Sequence, residues 1–334
     1  MPTRPRGVFV MSPYARRMAF PPSVTRRLEN LVDIDTSTLV TDFEQPGVES
    51  VLRDADLLVT GWGCPPLDDH ILDLTPRLRL IAHSAGSVKH HITDAVWRRG
   101  IAVSSAAEAN AEPVAEYTRA MILLACKRVL AQAREYPSRG WPGEAHRVDA
   151  GYVERTIGVI GASRIGRRVI ELLRPWRVRI LLADPYVTPE QATELGVESV
   201  SVDDLCRQSD VVTVHAPELP ETHHLINDAR LAAMPDSAVL INTARGSLVD
   251  TEALVRHCET GRISAVLDVT DPEPLPTGHR LFELPNVTVT PHLAGAQGTE
   301  IALLGDYAVD EIERYLAGSP LRGGVTADGL ARMA

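Results

Sequence analysis

The apolar positions of the chain fall into short, largely consecutive runs. From Thr156 onward they recur as Ile157–Ile160, Val178–Leu182, Val211–Val214, Ala238–Ile241, Ala265–Leu267 and Val287–Val289, at steps that leave room for a helix between them. A strand that is apolar at successive positions is buried on both faces, so these runs predict a parallel sheet covered by helices. Ile165, Val169, Leu172 and Leu173 keep helical spacing between the first two runs. Asp250 is placed to cap a helix through Leu254 and Val255 that ends near Gly261.

The first hundred residues repeat the theme with Gly7–Val10, Leu57–Val59, Leu78–Ala82 and Ile101–Val103, which predicts a second α/β unit. A long helix over residues 110–130, with Pro113 tolerated in its first turn, is expected to link the two. Ile301–Leu316 is again amphipathic, with Leu304, Ala308, Ile312 and Leu316 on one stripe and Gly318 as a stop. Packing of that helix on the N-terminal unit makes the latter discontinuous, giving domains of residues 1–108 plus 298–334 and 109–297. Pro137–Gly151 shows no sustained period and is expected to form a loop or an oligomer arm, and the last dozen residues are expected to fray. The fold class is α/β, with two Rossmann-like or flavodoxin-like domains built on parallel sheets.

Composition narrows the partners. The 334 residues suffice for about two domains, and 34 Lys+Arg against 44 Asp+Glu give a net charge of −10. That acidity argues against nucleic acid or an anionic membrane surface as a bulk electrostatic partner. The apolar run around Met121–Cys126 is far short of the roughly twenty residues of a membrane helix. Val8–Met11, behind Arg4 and Arg6, is shorter than the ~7–15 residues of a signal-peptide core. Cys64, Cys126, Cys206 and Cys258 form no CxxC pair, so no metal or redox site is expected, and a cytoplasmic setting follows.

A nucleotide motif follows the first of the later runs. Gly161-Ala162-Ser163-Arg164-Ile165-Gly166 stands between a predicted strand and a predicted helix, with Ser163 where GxGxxG has its middle glycine. Gly161 would make the tight turn, Gly166 would permit close helix–strand packing, and helix N-terminal amides would hold a pyrophosphate. Ser163 places a Cβ at the closest approach, and its hydroxyl is expected to change the phosphate contact rather than abolish it. Asp184, 18 residues after Gly166, is placed to accept both ribose hydroxyls and to repel a 2′-phosphate, so NAD(H) is expected over NADP(H).

Three further residues follow successive strands: Arg245 in Asn242-Thr243-Ala244-Arg245-Gly246, Glu273 five residues beyond Asp268, and His292 in Pro291-His292-Leu293-Ala294-Gly295. Ligands of open parallel sheets bind outside the carboxyl ends of the strands, where all three fall. A guanidinium suits a carboxylate, and a histidine beside a carboxylate serves as acid in reduction and base in oxidation. Taken singly, Arg245 also reads as a surface ion pair, Glu273 as a solvated loop charge and His292 as an ordinary loop histidine.

The combination Leu240–Gly246, Leu267-Asp268-Val269 with Glu273-Pro274, and Asn286-Val287 through Gly295 resembles the D-isomer-specific 2-hydroxyacid dehydrogenases. Asn110-Ala111 with Val114-Ala115-Glu116, Arg164-Ile165-Gly166, and Ser209–Val212 leading to His215-Ala216-Pro217 extend the likeness over most of residues 75–300. The resemblance implies that Arg245 binds the substrate carboxylate and C2 oxygen, that His292 exchanges the proton, and that Glu273 supports His292. It implies a cofactor site of Gly161, Ser163, Arg164, Ile165, Gly166, Asp184, His215, Ala216, Pro217, Thr222, Thr243, Ala244, Asp268, His292 and Gly295. Within that set Asp268 would hold the nicotinamide carboxamide.

For the substrate it implies Ala85, Gly86, Ser87 and Val88 through their backbone, with Arg245 and His292. Trp62, after a strand of the first unit, is either part of that pocket or packing. The family pattern further implies a small 2-oxo or 2-hydroxy acid substrate, a cleft between the domains and a homodimer. The substrate loop departs from it in Ser87-Val88-Lys89-His90-His91, either extra positive charge for a second anionic group or a solvated basic turn. Glu273 speaks against formate chemistry, which lacks that support for histidine. A phosphite-type dehydrogenase and an NADH-sensing corepressor-like protein remain the alternatives.

Overall fold

The computed structural model describes residues 4–141 and 150–331. Residues up to Asn110, with those from Ala296 on, form one compact unit, and Ala111–Gly295 form the other. In the first, β1 (Arg6–Val10), β2 (Asp33–Val40), β3 (Leu57–Thr60), β4 (Leu80–His83) and β5 (Ala102–Ser105) lie parallel in the order β2-β1-β3-β4-β5. In the second, the strands are β6 (Thr156–Ile160), β7 (Arg179–Ala183), β8 (Glu198–Ser199), β9 (Val211–Val214), β10 (Val239–Asn242), β11 (Ser264–Leu267) and β12 (Val287–Val289). They are parallel in the order β8-β7-β6-β9-β10-β11-β12, so the strand order reverses between β6 and β9. The chain returns to the first unit through the helix Ile301–Leu316 and adds β13 (Gly324–Val325) antiparallel to β5. The fold is α/β with two parallel-sheet domains.

The consecutive apolar runs are explained by burial on both faces. Every residue of β3, β4, β9 and β10 is buried. Along β10, Leu240 enters one apolar cluster while Val239 and Ile241 enter another, as the two-residue period of a strand requires. Three strands carry no such signal. β2 is an edge strand whose Asp-Ile-Asp-Thr-Ser-Thr sequence alternates between exposed and half-buried positions, β8 is two exposed residues, and β13 is a Gly-Val pair.

Register aligns the strand ends of the second sheet. Ala183, Ile160, Val214, Asn242, Leu267 and Val289 are partners in one continuous row across six strands. The residues that immediately follow the row are Asp184, Gly161, His215, Thr243, Asp268 and Thr290, so the carboxyl edge of this sheet is lined by the sequence's candidate residues together with Thr290. In the first unit the row Val10, Thr60, His83 and Ser105 plays the same part, and Trp62 and Ala85–Val88 lie just beyond it.

Four expectations need correction. The linking helix is Ala107–Cys126, and Pro113 lies in its interior rather than its first turn. It starts earlier because the Ser105 hydroxyl accepts the Ala107 N–H at 3.1 Å. Pro137 lies inside a helix, Val129–Arg139, so the expected loop begins later; residues 142–149, the rest of the candidate arm, lie outside the described residues. The C-terminal segment does not fray through its described part, since it forms β13 and the helix Ala327–Ala331. Buried Glu311 accepts the N–H groups of Arg322 (3.1 Å) and Gly323 (2.9 Å), which pins this segment to the helix Ile301–Leu316. The fourth is His91, which is buried rather than solvated.

Candidate active site

The turn after β6 has the geometry of a phosphate cradle. Gly161 holds a left-handed φ of 94°, and a Cβ there would sit 2.7 Å from the Ala216 nitrogen and 2.8 Å from the His215 carbonyl carbon. A Cβ on Gly166 would sit 2.0 Å from the Gly161 carbonyl oxygen, so the helix Arg164–Leu173 can start this close to the strand only with glycine there. Ser163 caps that helix, its Oγ accepting the Gly166 N–H at 3.3 Å. The middle position of the motif thus acts first on the helix, and the hydroxyl proton is left to donate outward. Asp184, after β7, accepts the Ala162 N–H at 2.7 Å through Oδ2 and the Tyr186 N–H at 2.8 Å through Oδ1. A carboxylate is therefore fixed beside the glycine turn at the point where the strand order reverses, and these residues fit a dinucleotide.

His215 contributes backbone rather than imidazole to this turn. Its side chain is buried and bonded through Nε2 to the Thr213 hydroxyl at 2.9 Å, and burial pushes its pKa down to about 3. The peptide joining His215 to Ala216 lines the cradle instead. The Thr222 hydroxyl closes the following loop, donating to the Pro217 carbonyl at 2.7 Å and accepting from the Leu219 N–H at 2.9 Å. Thr243 is buried with its hydroxyl 3.0 Å from that of Thr118, beside buried Ala244.

The catalytic candidates meet along β10, β11 and β12. Asn242 shapes the Arg245 loop, its Oδ1 accepting the Ala244 N–H at 3.0 Å and its Nδ2 donating to the Arg245 carbonyl at 2.8 Å. Arg245 is half-buried and gives one N–H to the Ala244 carbonyl at 2.6 Å. A Cβ on Gly246 would sit 2.0 Å from the Thr270 carbonyl, so the Arg245 loop and the loop leading to Glu273 are in backbone contact. His292 Nδ1 lies 2.5 Å from Glu273 Oε1, and that contact leaves Nε2 as the nitrogen available to a substrate.

Asp268 organises the loop that carries His292. It is buried, and its carboxylate accepts the N–H groups of Leu293 (2.9 Å) and Ala294 (2.8 Å) and the Thr290 hydroxyl (2.5 Å). Its carbonyl accepts the His292 N–H at 2.9 Å, and His292 itself adopts a left-handed φ of 50°. That role for Asp268 was absent from the sequence reading, as was Thr290, although Thr290 stands two residues before His292.

The substrate-loop candidates belong to the first unit. Ala85 and Val88 are buried, so their side chains are packing and their backbone is what a ligand would meet. Ser105 donates to the Gly86 carbonyl and so ties that loop to the end of β5; Ser87 Oγ accepts the Lys89 N–H at 3.4 Å. Trp62 is 39% exposed, and Gly295 ends the second unit. His91 drops out of both readings of the basic turn, as a solvated residue and as a charge for an anionic group. It is buried, its ring lies 4.4 Å from that of buried His83, and burial pushes its pKa down to about 4, so it is neutral near pH 7. Only His90 of the pair is exposed. His223, His224 and Asp271 bring ligand-capable atoms within 4.8 Å of one another where no metal was expected; the histidine rings stack at 3.9 Å, and we assign the group no role.

Residues 119–294 match the family model described as D-isomer specific 2-hydroxyacid dehydrogenase, NAD binding domain. The chain belongs to this family. Among its relatives, glyoxylate reductase of Aeropyrum pernix is 37% identical over 76% of this chain and 78% of its own. D-3-phosphoglycerate dehydrogenase of Methanocaldococcus jannaschii is 32% identical over 87% of this chain but only 55% of its own, so the chain spans about half the length of such relatives. The family's D-lactate dehydrogenase from Aquifex aeolicus, solved with NAD and lactic acid, is 29% identical with a TM-score of 0.71, covering 94% of this chain and 96% of that one. An NAD-binding domain is thereby established, and among the described residues no helix is long and apolar enough to cross a membrane.

Proposed function

We propose that the chain is an NADH-dependent reductase that converts small 2-oxo acids to D-2-hydroxy acids, reversibly. The observation that carries this reading is the 2.5 Å contact between His292 Nδ1 and Glu273 Oε1, on the strand edge that also presents Arg245. In this reading the Arg245 guanidinium pairs with the substrate carboxylate and orients the C2 oxygen. Glu273 fixes the imidazole through Nδ1, and Nε2 of His292 delivers the proton to the C2 oxygen. When bound, NADH supplies the hydride to C2, so one hydride and one proton turn the oxo acid into the hydroxy acid. In oxidation the same nitrogen takes the proton back.

Gly161, Ser163, Arg164, Ile165 and Gly166 would receive the pyrophosphate, and Asp184 the adenosine ribose, which supports NADH over NADPH. His215-Ala216-Pro217, Thr222, Thr243, Ala244, Asp268 and Gly295 would line the rest of that site. Trp62 and the backbone of Ala85–Val88 would contribute to binding the substrate. A homodimer is supported by the helix Val129–Arg139, which has no buried residue and exposes Val129 and Tyr136. Four free thiols suit the cytoplasm.

The test is the loss of NADH absorbance with glyoxylate, hydroxypyruvate, phenylpyruvate, 2-oxoglutarate and phosphonopyruvate, repeated with NADPH. Turnover of at least one oxo acid is expected, falling about 10²–10⁴-fold in His292→Ala with NADH affinity nearly intact. NADH binding without consumption of any of these acids would favour a nucleotide sensor instead.

A further inference from the structure

Behind His292 lies a hydrogen-bonded chain that no step of the proposed reaction uses. Thr290 Oγ1 lies 2.5 Å from Asp268 Oδ1 and 2.9 Å from the Tyr117 hydroxyl. A carboxylate only accepts, so the single Thr290 proton goes to Asp268, and the Tyr117 proton must then go to Thr290. The direction is fixed by elimination: Tyr117 O–H to Thr290 O–H to Asp268. The carboxylate also accepts the amides of Leu293 and Ala294, the two residues that follow His292. A buried carboxylate held by three donors is a stiff anchor, because moving it leaves charge and donors unpaired in a poorly solvated place.

We propose that Tyr117 and Thr290 are positioning residues for His292, acting through Asp268 to hold the backbone of the histidine loop. The inference rests on the proposed role of His292 in proton transfer. His292 cannot hold its own place through the side chain alone, since its ring is half-exposed and its only protein partner described is Glu273, itself exposed. Its left-handed backbone, φ 50°, is unfavourable for a residue with a Cβ and persists only where the surroundings impose it. The surroundings here are the Asp268 carbonyl, which takes the His292 N–H, and the Asp268 carboxylate, which takes the next two. Tyr117 sits in the helix Ala107–Cys126, in which the chain passes from one unit into the other, so the far end of the chain of bonds is anchored on a long helix rather than a loop. Burial and the nearby Asp268 charge both raise the pKa of Tyr117, which keeps it a donor through the working pH range.

The test compares Thr290→Val, Thr290→Ser and Tyr117→Phe in the whole protein by two readouts. The first is steady-state kinetics with the best oxo acid. Thr290→Val should lower kcat about tenfold, the worth of one charge-assisted hydrogen bond, and Tyr117→Phe about threefold. KM for the oxo acid should stay within twofold, and Thr290→Ser should recover wild-type kcat, because it restores the donor. The second readout needs no turnover: hydrogen exchange at the Leu293 and Ala294 amides should accelerate in Thr290→Val and Tyr117→Phe, while amides of β10 keep their wild-type rates. Wild-type kcat and exchange in both Thr290→Val and Tyr117→Phe would overturn the proposal, as would a Thr290→Ser variant as impaired as Thr290→Val. Should Thr290→Val fail to fold, Tyr117→Phe decides by the same two measurements. If the wild type turns over no oxo acid, the functional reading fails, and exchange at Leu293 and Ala294 still decides whether the anchor exists.

Discussion

The proposed discrimination between cofactors rests on a single side chain, Asp184. Both of its oxygens are already engaged by backbone N–H groups, from Ala162 and Tyr186, so its position is set before any ligand arrives. A fixed negative charge at a ribose site favours a diol and opposes a phosphate. Replacing it in Asp184→Ala should weaken NADH and narrow the preference over NADPH by roughly tenfold, read as the ratio of the two kcat/KM values. An unchanged ratio would remove Asp184 from the cofactor site. At this scale the sequence singled out Arg245, Glu273 and His292 by their shared place after successive strands and the motifs around them, since each alone is an ordinary residue. It was uninformative for Thr290 and Tyr117, ordinary residues whose importance lies only in what they touch.

Elements succeed or fail by how closely their backbones approach. The helix Ile301–Leu316 packs on the helices Pro13–Ala19 and Pro22–Leu31, and a Cβ on Gly305 would lie 1.8 Å from the Ala19 carbonyl oxygen. Since the obstacle is backbone, Gly305→Ala must push the helices apart and should lower stability by about 1–3 kcal/mol, measured by urea unfolding. The corresponding contact in the second unit, Gly246 against Thr270, joins the loops of Arg245 and Glu273. Elements were readable where burial on both faces forced apolar residues at successive positions, as in β9 and β10. They were not readable at β2, β8 and β13, where an edge position removes that demand and the strand is defined by its neighbour's hydrogen bonds. Pro113 misplaced a helix start for a related reason: preference for the first turn is weak, and the Ser105 hydroxyl and tertiary packing extend the helix upstream of it.

For the molecule as a whole, buried histidines set the response to acid. Burial lowers His83 well below its ordinary 6.5, holds His91 at about 4 and holds His215 at about 3. Each is neutral in the folded chain and takes up a proton near pH 6.5 when unfolded, so the unfolded state binds more protons below that pH. Their stabilising effect is fully present above pH 6.5 and is lost as pH falls towards the folded values. The unfolding free energy should therefore decline between pH 6.5 and 5, before most carboxylates titrate, with a slope of up to about 1.4 kcal/mol per pH unit for each histidine. Urea unfolding across that range measures the slope, and His91→Gln should reduce it by one proton's share. A flat profile would mean that these rings reach water.

The sequence by itself determined the class of fold and the identity of the chemical groups. Apolar runs at helix-spaced intervals leave a two-sided parallel sheet as the arrangement that buries them, and Gly161, Asp184, Arg245, Glu273 and His292 follow the ends of its strands. Tertiary structure alone decided how those groups are held. Strand register is a pairing between segments distant in the chain, and it places Asp184, Gly161, His215, Thr243, Asp268 and Thr290 along one edge. Burial is likewise a property of the packed chain, and it turned His91 from a presumed surface cation into a neutral core ring. The anchor behind His292 joins Tyr117 to Thr290 across 173 residues of sequence. A hydrogen bond depends on distance and direction in space, and no spacing along the chain records either.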